Sequence, residues 1–249
     1  MTSGPSLFAR FAFPPNALGY CGPADSIELF EASTAGADRE IGVLARGFEG
    51  AWPYLELIAG ASGIEDPLDA RVVEAYWVGN DLLANGASRL AGSLDDRFRR
   101  RAGRRWEAIA SAVPAGAVPH HSYHVFGVYP WVGLLRSGRV EEPLEVLERC
   151  RIRWGTVLTV DDDRALISSR PLTWDGRRLA LGRPWDEWVT WSSGGLSPIA
   201  VPRAGDIVAA HWDWVCDRLD PFRLRNLQAW TAHTLRLVNE QTPVGTVVG

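Results

Sequence analysis

Apolar positions fall at two different spacings along this chain, and the change of spacing divides it. Up to about residue 112 the spacing is helical. Ile41, Leu44, Ala45 and Phe48 recur at i, i+3, i+4 and i+7, which predicts a helix over about 37–51 with one buried face. Ser26–Ala32 reads as a shorter helix, with Asp25 as its cap and Glu28 three residues on. Pro53 kinks or restarts the chain, and Leu55 and Ile58 continue the apolar side. Asp66-Pro67-Leu68-Asp69 reads as a helix start, and the helix it opens runs to about Leu83 with Val72, Val73, Tyr76 and Trp77 on the buried side. A further helical stretch over about 87–112 carries the basic run Arg97–Arg105, a solvated face or else a basic docking patch. Residues 5–24 differ. They are dense in Pro, Gly and aromatics, and Pro14-Pro15 and Gly19 speak against a long helix. An extended arm pinned by Phe8, Phe11, Phe13 and Tyr20 is expected there.

Residues 137–148 carry acidic charge and a proline and read as a connector. Beyond them the apolar runs become short and are separated by polar turns, the pattern of strands. Strands are predicted at Arg151–Val160, Arg164–Ser169, Arg178–Leu181, Glu187–Trp191 and Ile207–His211. Asp161–Asp163 is an acidic turn between the first two, and Asp175-Gly176 is a hairpin signal. Such strands make a small barrel or sandwich. Helical spacing returns over Phe222–Glu240, with Leu224, Leu227, Thr231, Leu235 and Val238 along one side, and the tail from Thr242 reads as loose.

Composition narrows the function classes. The 249 residues suffice for two domains and a sizeable core, and a net charge of −4 speaks against nucleic acid as a partner. Twelve tryptophans are far above ordinary usage and point to aromatic packing or an aromatic-lined pocket. No apolar run is long enough to span a membrane, and the N-terminus lacks the marks of a signal peptide. The three cysteines, Cys21, Cys150 and Cys216, are widely spaced without a C-x-x-C pair, so a disulfide framework and a zinc ribbon are not expected and a cytoplasmic location is.

Three of the five histidines lie within Pro119–His124. On a helix or on a strand, His120 and His124 share a face and His121 lies apart. With Cys21, set in the turn Gly19–Pro23, His120 and His124 form one candidate site for a metal or haem. The same two histidines also read as core residues bonded to backbone carbonyls. There is no H-E-x-x-H, phosphate loop, dinucleotide fingerprint or Ser–His–Asp signature.

The second candidate joins distant residues. Cys150 stands before the first strand, in C-R-I-R-W-G-T-V. His211 ends the strand of Gly205–Asp220, in G-D-I-V-A-A-H-W-D-W, and Cys216 beyond it reads as a packing residue on a turn. These stretches resemble HypC/HupF-type hydrogenase-maturation chaperones. That family opens with C-x-G-x-P-G-x-V and later carries G-D-[YF]-V-x-V-H-x-G-[FY] before a C-terminal helix. Cys150, Gly155 and Val157 fall on the first pattern; Gly205, Asp206, Val208, His211 and Trp214 fall on the second. Ile152 and Trp154 replace the family's glycine and proline, and the cysteine is internal. The resemblance covers about the last two-fifths of the chain. It implies a small OB-like β-barrel with a C-terminal helix over 150–240; with the helical spacing of the first part this makes an α+β protein whose mainly helical N-terminal domain covers 1–145. It further implies that Cys150 and His211 meet at one end of the barrel and hold iron; a protein partner, a hydrogenase maturation factor or large subunit, is expected to dock on the helical domain, with Trp154 and Trp214 as further partner-binding residues. The alternatives are a metal- or haem-dependent enzyme using His120 and His124, and an adaptor that kept the barrel and lost the metal.

Overall fold

The computed structural model describes residues 2–24, 26–83 and 116–241. The expected cap Asp25, the helical stretch 87–112 with Arg97–Arg105, and the tail from Thr242 lie outside the described residues.

The segment expected as an extended arm is a helix, α1 (Gly4–Ala17). Its prolines are placed where a helix tolerates them. Ser3 caps the first turn by accepting from the Ser6 N–H, and Pro5 occupies a first-turn position whose N–H would have no partner anyway. Pro14 and Pro15 fall in the last turn, where the bonds they cannot make would end on the carbonyls of Arg10 and Phe11. Phe8 and Phe11 are fully buried, so core packing on this face outweighs the two lost bonds.

Four helices follow: α2 (Ser26–Ala35), α3 (Asp38–Ala45), α4 (Trp52–Ser62) and α5 (Ala70–Trp77); α2, α3 and α5 pack on α1, and α4 packs on α5. α5 starts later and ends earlier than predicted. Asp69, not Asp66, is its cap, accepting from the Arg71 N–H, and Gly79 at φ +93° follows its end. A short helix, α6 (His121–Tyr123), runs into a π turn over His124–Val128. α7 (Trp131–Arg136) and α8 (Glu141–Cys150) follow. The expected connector is thus mostly helix α8: Pro143 sits within its first turn beside Glu141 and Glu142, and Leu147 is buried. Cys150 is the last residue of that helix, three positions before the first strand.

The strands are β1 (Arg153–Asp161), β2 (Arg164–Ser169), β3 (Leu172–Trp174), β4 (Leu179–Leu181), β5 (Trp185–Thr190), β6 (Ile207–His211) and β7 (Trp214–Arg218). β1, β2, β5, β7 and β6 close into a barrel in that order, with β5 and β7 parallel and the other pairs antiparallel. This is the expected α+β architecture with a five-stranded barrel. α9 (Pro221–Glu240) follows β7, capped by Asp220. β7 falls in a stretch read as an aromatic run and a turn, so Cys216 is a strand residue, fully buried. β3 and β4 form a separate ribbon, whose Leu172 and Leu179 pack with Leu147, Leu235 and Val238 from α8 and α9.

Gly155 explains one position of the barrel pattern. A β-carbon there would stand 3.0 Å from the Ser168 carbonyl oxygen and 3.1 Å from Ile167, so a larger residue would push β1 away from β2. The barrel interior has a core of its own, with Val157, Ile167, Val189, Val208 and Val215. On its outer side a second cluster runs from Leu7, Phe8 and Trp77 to Ile152, Ala209 and Cys216, so α1 lies directly on β6 and β7 and Trp77 of α5 reaches the His211 ring.

Candidate metal centre

The hairpin β6–β7 turns through Trp212 and Asp213, which sets His211 at the barrel rim. Trp212 lies at φ +51°, a conformation few non-glycine residues adopt. Its surroundings hold it there. Its N–H donates to the Arg149 carbonyl at 2.7 Å, its carbonyl accepts from Arg153 at 2.5 Å, and its ring stacks on Tyr20 with centroids 4.2 Å apart. The end of α8 brings Cys150 to the same rim, and α6 brings His121. One donor atom from each of His121, Cys150 and His211 lies within 4.8 Å of the others.

Backbone carbonyls fix which imidazole nitrogens are free. His211 Nδ1 donates to the Phe11 carbonyl at 2.7 Å. That carbonyl is available because Pro15, four residues on, has no N–H to offer it. Nε2 of His211 is then deprotonated, and it is buried with no hydrogen-bond partner among the described residues. His121 Nε2 donates to the Cys150 carbonyl at 2.8 Å, which leaves Nδ1 with the lone pair. Tyr76 stands 3.2 Å from that nitrogen and 3.0 Å from the Gly50 carbonyl, and its single proton serves only one of them. Two imidazoles anchored by N–H···O=C bonds, with one ring nitrogen of each within 4.8 Å of one thiol, are the donor set that a metal ion of the zinc or iron type takes. The orphaned Nε2 of His211 is the observation that fits the set to a cation. Replacing Pro15 by alanine restores an N–H that competes for the Phe11 carbonyl. Metal affinity is expected to fall about 10- to 100-fold, as for the loss of other ligand-orienting groups. A competition titration against a chelator measures it, and unchanged affinity would show that the carbonyl does not orient the ring.

The groups around the site are kept neutral. Burial pushes the Cys150 thiol up, with Cys21 nearby adding to it, and raises Cys21 to about 12. Burial lowers His120 to about 3, His121 to about 4 and His124 to about 3, and holds His211 well below its ordinary value. An unfolded chain takes up protons on these histidines below its ordinary value near 6.5, while the folded chain does not until about 3–4. Stability of the metal-free protein is therefore present above pH 6.5 and is lost as pH falls toward 4. The urea midpoint at about pH 5 is expected below that at pH 7; equal midpoints would contradict the buried neutral state.

The second predicted site divides. His124 and Cys21 line the same cavity as Cys150, His121 and His211. His120 does not. It is the residue before α6, in extended conformation at φ −112°, its Nδ1 accepts from the Ser122 N–H, and its ring lies over Trp230. The helix begins one residue later than the shared-face reading assumes, so the pair on one face is His121 and His124, at i and i+3. Histidine is not a usual cap, so nothing in the sequence marked His120 as the boundary. The cavity, of about 200 Å³, is larger than the roughly 150 Å³ that holds a benzene and leaves no room for a porphyrin. Trp214, half-buried, packs on Phe13 and Phe30, with ring centroids 5.2 and 5.8 Å away. Trp154, half-buried on β1, lies under the Arg151 guanidinium and borders a groove with Arg170, Arg178 and Arg236.

Among the described residues no helix is long and apolar enough to cross a membrane. No curated protein and no solved structure matches the chain. One family model spans residues 1–244, helices and barrel together, and by that match the chain belongs to the family of unknown function DUF6390.

Proposed function

We propose that this protein is an accessory factor of [NiFe]-hydrogenase assembly that holds an iron ion through Cys150, His211 and His121 and passes it to, or keeps it within, a complex with a maturation factor or the hydrogenase large subunit. The observation that carries the reading is the meeting of Cys150 and His211, remote in sequence and each on its own barrel motif, at one rim of a closed barrel. His121 joins them from the helical part. When bound, the ion supplies an electrophilic centre with positions left over for other ligands. The chain's own groups do the rest. The Phe11 and Cys150 carbonyls aim the two imidazoles, and aromatic side chains line the cavity beside the thiol. A thiolate with two imidazoles suits ferrous iron and zinc about equally, so the preference for iron rests on the resemblance of the two barrel motifs.

Expression together with the hydrogenase maturation proteins, followed by purification and elemental analysis, tests this. Near-stoichiometric iron and a complex with the large subunit or a maturation factor, both lost in C150A, are expected. Iron-free protein with no such complex would refute the reading.

A further inference from the structure

The metal reading leaves one side of the site unexplained. Three protein donors leave a tetrahedral ion one open position. Beside it lies a cavity of about 200 Å³, lined by Phe48, Trp77, Tyr129, Trp131 and Trp212. Such a volume takes a body of benzene size or slightly more. Its walls are almost wholly apolar, and few polar groups reach in. One is His124, whose Nδ1 is engaged by the Tyr54 hydroxyl at 3.1 Å. Its Nε2 is on the cavity side: a β-carbon on Gly50 would stand 3.0 Å from it and 3.9 Å from the Tyr129 hydroxyl oxygen. Gly50 keeps that corner open.

Resting on the reading of His121, Cys150 and His211 as metal ligands, we propose that the open coordination position and this cavity together bind a compact, mainly apolar molecule, one that gives a lone pair to the metal and a hydrogen-bonding group to His124. The aromatic walls, the stacked rings of Tyr20 and Trp212 among them, select against bulk and charge. An azole has the required form, with one nitrogen for the metal and an N–H on the far side of a flat ring.

Cobalt(II) reports both steps separately, because its visible spectrum changes when it is bound and again when a ligand is added. Imidazole is expected to shift the spectrum of the cobalt-loaded protein saturably, and 4-phenylimidazole, too large for the cavity, to bind at least tenfold more weakly. In H124Q the imidazole affinity is expected to fall about tenfold, each variant being read against its own cobalt spectrum. Cobalt that binds but ignores imidazole, or takes both azoles equally well, overturns the cavity site alone. An unaltered imidazole affinity in H124Q removes His124 from it. Cobalt that does not bind at all overturns the metal reading and this proposal with it.

Discussion

Replacing Cys150 by alanine is expected to lower the affinity for zinc or ferrous iron by at least about a hundredfold, which corresponds to about 2.8 kcal/mol. The reason is the composition of the donor set. The two imidazoles are neutral, so the thiol, once it loses its proton to the ion, is the single anionic ligand of the three. Removing it leaves a cation facing two neutral nitrogens in an apolar cavity, which does not compensate its charge. The competing reading, a cysteine that only packs at the end of α8, makes a different forecast: a modest loss of stability and no change in metal affinity. Metal titration and unfolding of the metal-free protein, run on the same C150A sample, separate the two. A hundredfold weaker metal complex with little change in unfolding supports the centre.

The second large effect is on stability and lies at Arg153. This side chain is almost wholly buried. It holds Glu187 of β5 through two contacts of 3.2 Å and the Trp212 carbonyl at 2.5 Å. It therefore ties β1 to β5 and pins the strained turn that follows His211. Removing one partner of a buried pair is costly because the other is left uncompensated. Glu187 keeps some contact with solvent and also accepts from Ser169 at 2.6 Å, so the loss in R153A is expected at about 3 kcal/mol, the lower end for such changes. For a chain of this length that is a fall of about 6–12 °C in Tm. The double variant R153M/E187L, which leaves no orphan charge, is expected to regain part of it. Equal losses in both would mean that packing, not the ion pair, carries the effect. Metal affinity is expected to drop in R153A as well, through the freed Trp212 turn.

How much of this was legible in the sequence depended on how local the cause was. The strand Arg164–Ser169 stands where the alternation of apolar and polar residues places it, because its register is set by one buried face, and Ile207–His211 stands where a short, mostly apolar run places it, buried on both faces. α1 was hidden by its prolines. Their rule is local, but the compensation is not: Phe8 and Phe11 pack on Trp77, and His211 takes the carbonyl that Pro15 leaves free. β7 was hidden in the same way, since Trp214-Val215-Cys216 shows no alternation and pairs only through its partners β6 and β5. Cys150 and His211 could be read because each sits on a spaced motif. His121 could not, because its place depends on a helix that begins one residue past His120 and on packing between α6 and the barrel rim.

X-ray absorption at the metal edge of the zinc- or iron-loaded protein tests the centre most directly. One sulfur at about 2.3 Å and two imidazole nitrogens at about 2.0–2.1 Å, with the sulfur absent in C150A, is the predicted first shell. A shell of oxygen and nitrogen alone in the unaltered protein would contradict it.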